Sequence, residues 1–118
     1  MNNRETGSRK ERLAGVFLEQ QGYQILQYNF YCRHGEIDIV AREGGYLVFV
    51  EVKYRKNGKM GDPKEAVGVC KQRRICKAAQ YYLFCKGMGT GMSCRFDVVA
   101  IKGEDMELIQ DAFSFLYK

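Results

Sequence analysis

The chain has 118 residues, 46% of them hydrophobic and 28% charged, with one proline and a formal net charge of +5. That length suits one domain, read as residues 1–118, and the composition supplies a core and excludes wholesale disorder. No apolar run approaches the roughly 18 residues of a membrane span, and the polar N-terminus is unlike a secretory signal, so a cytoplasmic protein with no membrane role is expected.

From Thr6 to about Gln21, Leu13, Ala14, Val16, Phe17 and Leu18 recur at helical spacing, and Gly22 is placed to end the helix. "YQILQYNF" alternates apolar with polar residues and reads as a strand, with Asn29 to Gly35 a loop or irregular strand end. Two strands follow, about Glu36 to Arg42 and Tyr46 to Arg55, joined by a Gly44-Gly45 turn signal. Lys56 to Gly61 is a basic loop. Asp62-Pro63-x-Glu65 then has the residues of a helix start, and the helix is expected to reach about Lys86. Its apolar face holds Ile75, Ala78, Ala79, Tyr82 and Leu83, with Gly68 as an early interruption.

After the loop "KGMGTGMS", Arg95 to Ile101 is an apolar strand and "MELIQDAFSF" a last short one. The tail residues Phe113, Phe115, Leu116 and Tyr117 could close the core or make a dimer contact. The order α-β-β-β-α-β-β predicts an α/β sandwich. The five cysteines are odd in number and form no C-x-x-C pair, and with His34 alone they make no zinc site of normal spacing. They read as reduced thiols, with Cys76, Cys85 and Cys94 as small apolar residues.

The two central strands carry charges where a core strand should not. A two-residue turn makes Glu43 face Tyr46, which sets Asp38 opposite Glu51 and Glu36 opposite Lys53. Ile37, Ile39 and Ala41 then share a face with Val52, Val50 and Val48, and all six are apolar. Opposed carboxylates repel and destabilise a sheet, unless both face a divalent cation. Oxygen ligands without a His or Cys cluster point to a hard ion, Mg²⁺ or Mn²⁺. Lys53, two residues past Glu51, would sit beside it to orient a water or neutralise a phosphate. Glu36 alone reads as a solvated strand-end acid or a structural partner of Lys53.

Basic residues cluster as Arg4, Arg9, Lys10 and Arg12, as Lys53, Arg55, Lys56 and Lys59, and as Lys71, Arg73, Arg74 and Lys77. They flank the acidic strands in sequence. Such a surface suits a phosphate backbone, though a solvated basic face would look the same.

Asp38 followed a strand later by Glu51-Val52-Lys53 resembles the signature of the restriction-endonuclease-like superfamily of metal-dependent nucleases, written PD-(D/E)XK. Ile37 stands where that pattern often has proline. The chain resembles still more closely the YraN-like family of uncharacterised endonuclease-like proteins. The likeness runs through "GSRKERLAGVFLEQQGY", "GEIDIVAREGGYLVFVEVKYR", "AVGVCKQRRICKAAQYYL" and "RFDVV", nearly the whole chain.

The resemblance implies a restriction-endonuclease-like α/β/α sandwich, with a central mixed sheet containing an antiparallel β-meander. It implies metal-dependent phosphodiester hydrolysis but no substrate. With the Mg²⁺ or Mn²⁺ that the oxygen ligands point to, the expectation is an endonuclease acting on DNA more than RNA, with branched or structured DNA as candidate substrates. Asp38 and Glu51 would be catalytic metal ligands and Lys53 the catalytic lysine. In Holliday-junction resolvases of this superfamily a glutamate on the first helix completes the metal site, which makes Glu11 the candidate here. By helical spacing alone, Glu11 could equally be an exposed acid near Arg12. Lys71 extends the apolar face of the second helix, either snorkelling or aimed at phosphate, and the resemblance favours phosphate. Arg9, Lys10, Arg55, Lys56, Lys71, Arg73 and Arg74 are the nucleic-acid-binding candidates, and a homodimer would suit symmetric cutting of two strands. The alternative is a non-catalytic nucleic-acid-binding module with a vestigial nuclease fold.

Overall fold

A computed structural model describes residues 3–55, 67–89 and 91–115, and side chains from residue 9 onward except that of Arg55. In chain order the elements are α1 (Asn3–Gln20), β1 (Gln24–Cys32), β2 (Gly35–Glu43), β3 (Tyr46–Arg55), α2 (Val69–Cys85), β4 (Cys94–Lys102) and β5 (Asp105–Phe113). The strands lie in the order β1-β2-β3-β4-β5. All neighbours are antiparallel except β3 and β4, which are parallel. A parallel partner cannot be reached by a tight turn, and α2 lies in the crossover that reaches it. The result is the expected α/β order, a mixed five-stranded sheet with a helix on each face. No helix among the described residues is long and apolar enough to cross a membrane.

Local chemistry accounts for the elements. α1 ends in a Schellman pattern: Tyr23 N–H donates to the Leu18 carbonyl at 3.0 Å and Gly22 N–H to that of Glu19 at 3.1 Å, with Gly22 at φ 96°. Leu18 and Tyr23 then pack in the same core. The β2–β3 turn has Gly44 at φ 57° and Gly45 at φ 87°, a pair of left-handed residues whose twist matches a hairpin. Beyond it Glu43 pairs with Tyr46 and the register holds through Ile39 and Val50, as parity predicts.

Two cores sandwich the sheet. On one face Ile37, Val40, Phe49, Phe96 and Val98 meet Ile75, Ala78, Ala79 and Tyr82 of α2. On the other, Ile39, Ala41, Val48, Val50 and Val99 meet Ala14 and Leu18 of α1. Gly15 lets α1 approach closely, because a side chain there would collide with the Tyr28 ring. Phe96 stacks on Phe113 at 4.9 Å and meets Phe115 edge-on at 5.0 Å, so these two tail residues close the α2-side core. Leu116 and Tyr117 lie outside the described residues, as do Lys56 and the expected helix start at Asp62.

Gly68 interrupts the second helix as expected: it is extended and precedes the first turn of α2. Several other expectations are corrected. β1 continues to Cys32, leaving only Arg33 and His34 as the turn to β2. Leu13 and Val16 are about half exposed, because α1 lays only a narrow stripe on the sheet. Cys85 is exposed at the end of α2, whereas Cys76 is buried.

Ile37 does not share the face of Ile39 and Ala41; it packs in the α2-side core. The alternation shifts around Asp38. There, Tyr28–Ile39 and Phe30–Ile37 are paired on either side, but Asn29 between them is left-handed at φ 54°.

Candidate functional site

The β2–β3 ladder ends at Ile39 and Val50, one pair before the acids. Asp38 and Glu51 are therefore not a regular cross-strand pair. Asp38 Oδ2 instead accepts the N–H of Val52 at 2.8 Å, so a side chain takes up a backbone donor where the ladder has stopped. Asp38 and Glu51 are 7% and 6% exposed, two acids at the edge of the core.

α1 brings Glu11 to this point. One carboxylate oxygen each from Glu11, Glu36 and Asp38 lie within 4.8 Å of one another, a group that could hold a metal ion. Burial, then the charge and hydrogen bonding of Asp38, then the charge of Glu36, push Glu11 up to about 8. Burial also raises Asp38 well above the carboxylate range; hydrogen bonding with Glu51 and its charge add to this, and the Val52 N–H offsets it in part. Carboxyls that resist ionisation together are what a divalent cation would relieve.

Glu51 lies on the other side of Asp38, held by cations. Lys53 Nζ is 3.9 Å and Lys71 Nζ 3.7 Å from Glu51 Oε2. Lys53 comes from the same strand and Lys71 from the first turn of α2, so the two central elements converge on one carboxylate. Lys10, beside Glu11 on α1, sits over the Tyr54 ring at 3.5 Å. Arg9, Arg73 and Arg74 are exposed. The Arg55 side chain and Lys56 fall outside the description.

The fold thus gathers Glu11, Asp38, Glu51, Lys53 and Lys71. It also adds Glu36, which the sequence reading set aside as a solvated acid or a partner of Lys53. Its signal was present: Glu36 is two residues before Asp38, hence on the same side of a strand.

A second buried acid was missed. Asp97 on β4 is wholly buried and takes hydrogen bonds from Tyr23 Oη (2.6 Å), Arg95 Nε and Nη2 (2.9 Å each) and Asp111 N–H (2.9 Å). Arg95 also pairs with Glu43 at 2.8 Å. With its donors supplied by the protein, Asp97 is a structural anchor of β4 to β1 and β5.

The model of the uncharacterised protein family UPF0102 matches residues 10–101. A UPF0102 protein of Lachnoclostridium phytofermentans is 54% identical over 113 residues, covering 96% of each chain. One from Syntrophus aciditrophicus is 48% identical over 119 residues, covering 98% of this chain and 93% of its own. One from Chlorobium chlorochromatii is 44% identical over 119 residues, covering 92% and 91%.

Proposed function

Because the chain belongs to the uncharacterised family UPF0102, whose description states no reaction, we propose a function from the site itself: a metal-dependent endonuclease hydrolysing phosphodiester bonds in DNA, particularly branched or structured forms. The observation that carries this reading is the acid triad Glu11, Glu36 and Asp38, its oxygens within 4.8 Å, beside a Glu51 held by two lysines. A basic chain of net charge +5 gives it an anionic partner to act on.

Oxygen donors alone fit a hard divalent cation, Mg²⁺ or Mn²⁺. Bound there, such an ion would polarise a phosphodiester oxygen and lower the pKa of a water. The residues of the chain do the rest. Glu11, Glu36 and Asp38 would hold the ion, while the Val52 N–H fixes Asp38. Glu51 completes the acidic surround and keeps Lys53 and Lys71 in place. Lys53 orients the attacking water or neutralises charge growing on the phosphate. Lys71 reaches in from α2 to a substrate phosphate. Arg9, Lys10, Arg55, Lys56, Arg73 and Arg74 grip flanking phosphates, with DNA preferred to RNA and a homodimer serving two-strand cutting.

The test is cleavage of labelled linear, nicked, flapped and four-way DNAs by purified protein with Mg²⁺ or Mn²⁺. Glu51→Ala and Lys53→Ala should each abolish cutting. Cleavage that survives either change undiminished sinks the assignment.

A further inference from the structure

Where β1 turns into β2, a cavity of about 370 Å³ is lined by Tyr31, Cys32, Arg33, His34 and Tyr81. That volume lies in the range of small-ligand sites, about 300–1,000 Å³. Its walls are aromatic. Tyr31 is 55% exposed and Tyr81 44%. His34 meets Tyr81 edge-on at 6.2 Å, and Phe30 backs Tyr81 at 6.3 Å, so the Tyr81 ring is braced.

The cavity's charge is positive. Arg33 lines it, and Arg74 of α2 packs against Gly35 at the same turn. No acid is among the five lining residues. It also adjoins the acid cluster: Tyr31 is the register partner of Glu36, a separation of roughly 5 Å between Cα atoms. An aromatic face beside a guanidinium group suits a nucleotide, because every base has a stacking face and every link a phosphate.

We infer that this cavity takes an unpaired nucleobase of the strand whose backbone crosses the acid cluster. A paired base is stacked within its duplex and cannot enter a side cavity, so the occupant is extrahelical. Tyr81 stacks on it, His34 closes the edge, and Arg33 holds the adjoining phosphate. The inference rests on the nuclease reading and names its substrate class: DNA with an unpaired base beside the phosphate to be cut.

The test is binding, without divalent metal, of two duplexes that differ only in whether one 2-aminopurine is paired or bulged. Wild-type protein should bind the bulged duplex about tenfold more tightly, within the range for one stacked base, and quench its fluorescence. Tyr81→Phe should keep that preference. Tyr81→Leu should lose it while binding the paired duplex as before. His34→Ala should weaken it, giving a second probe should Tyr81→Leu fold poorly. Equal affinity of wild type for the two duplexes, or a preference untouched by both Tyr81→Leu and His34→Ala, overturns the inference. Cleavage with Mn²⁺ is measured on the same DNAs. A bulge preference without cleavage supports the cavity and removes the nuclease reading; cleavage without a preference does the reverse.

Discussion

Asp38 Oδ2 accepts the backbone N–H of Val52 at 2.8 Å. The acid stands where the β2–β3 ladder would have continued, and the strands part around it. Its carboxylate is thereby open to Glu11 and Glu36 and adjoins Glu51. Asp97, two strands away, has the same side chain and a similar burial but opposite surroundings: the Tyr23 hydroxyl, two Arg95 nitrogens and the Asp111 backbone N–H satisfy it. One buried acid is satisfied by donors of the protein; the other stands in a group of carboxylates that could hold a metal ion.

Asp97 should therefore be required for folding. Asp97→Ala leaves the mostly buried Arg95 short of its partner and strips Tyr23 and Asp111 of an acceptor. Breaking a buried pair from one side costs roughly 3–5 kcal/mol. Urea unfolding should show a loss of that order; a loss under about 1 kcal/mol would mean that water replaces the lost acceptor.

The acid triad should make the metal-free protein less stable as pH rises. Glu11 is pushed up to about 8 in the fold against an ordinary 4.5. Below about pH 4.5 the group is protonated both folded and unfolded, and its contribution is fully present. Between there and pH 8 the unfolded chain ionises first, so stability falls as pH rises. Melting temperatures of wild type and Glu11→Gln, compared from pH 4.5 to 8, isolate the effect. The wild type should lose ground to the variant across that window, and Mn²⁺ should stabilise the wild type more at pH 8 than at pH 5. A constant difference would place Glu11 away from the cluster.

Gly15→Ala tests how closely α1 is seated. The new methyl would meet the Tyr28 ring, which also carries Arg12 against its face at 4.2 Å. Overpacking costs about 1–3 kcal/mol, against a helix-propensity gain of up to about 1. Net destabilisation is expected in thermal melts, and Tyr28→Leu in the same chain should relieve part of it. A stabilised Gly15→Ala would show that Tyr28 moves aside freely.

Much of this was legible in the sequence, for identifiable reasons. The β2–β3 hairpin has a Gly-Gly turn and alternating faces, and a period of two leaves little freedom in register. α2 showed its apolar face from Ile75 to Leu83. The readings that failed were those needing a partner element to be seen. Leu13 and Val16 match the helical stripe, but how much of it is covered depends on how α1 lies across the sheet. Ile37 follows alternation until a left-handed Asn29 on the next strand shifts it. Glu36 was on the right side of its strand, yet its worth came from Glu11, 25 positions earlier in the numbering. Asp97 has a local partner in Arg95, but its other donors, Tyr23 Oη and Asp111 N–H, lie 74 and 14 positions away, so the sequence alone does not show it to be buried and satisfied.

Asp38→Asn separates a metal-holding acid from a structural one. The amide nearly matches the carboxylate in shape, and its oxygen can still accept from Val52 N–H. Burial and Glu51 push the Asp38 carboxyl up to about 8, so above that pH the change removes one charge from the site, the range in which the comparison is made. The metal-free variant should thus be as stable as wild type or more so. Mn²⁺ should raise the melting temperature of the wild type, because a ligand that binds only the folded state stabilises it. In Asp38→Asn that rise should vanish with the lost oxygen ligand. One substitution then gives two opposite signs in the same melting experiment. A metal-free variant that melts clearly below wild type would make Asp38 a structural acid like Asp97 and move the metal site elsewhere.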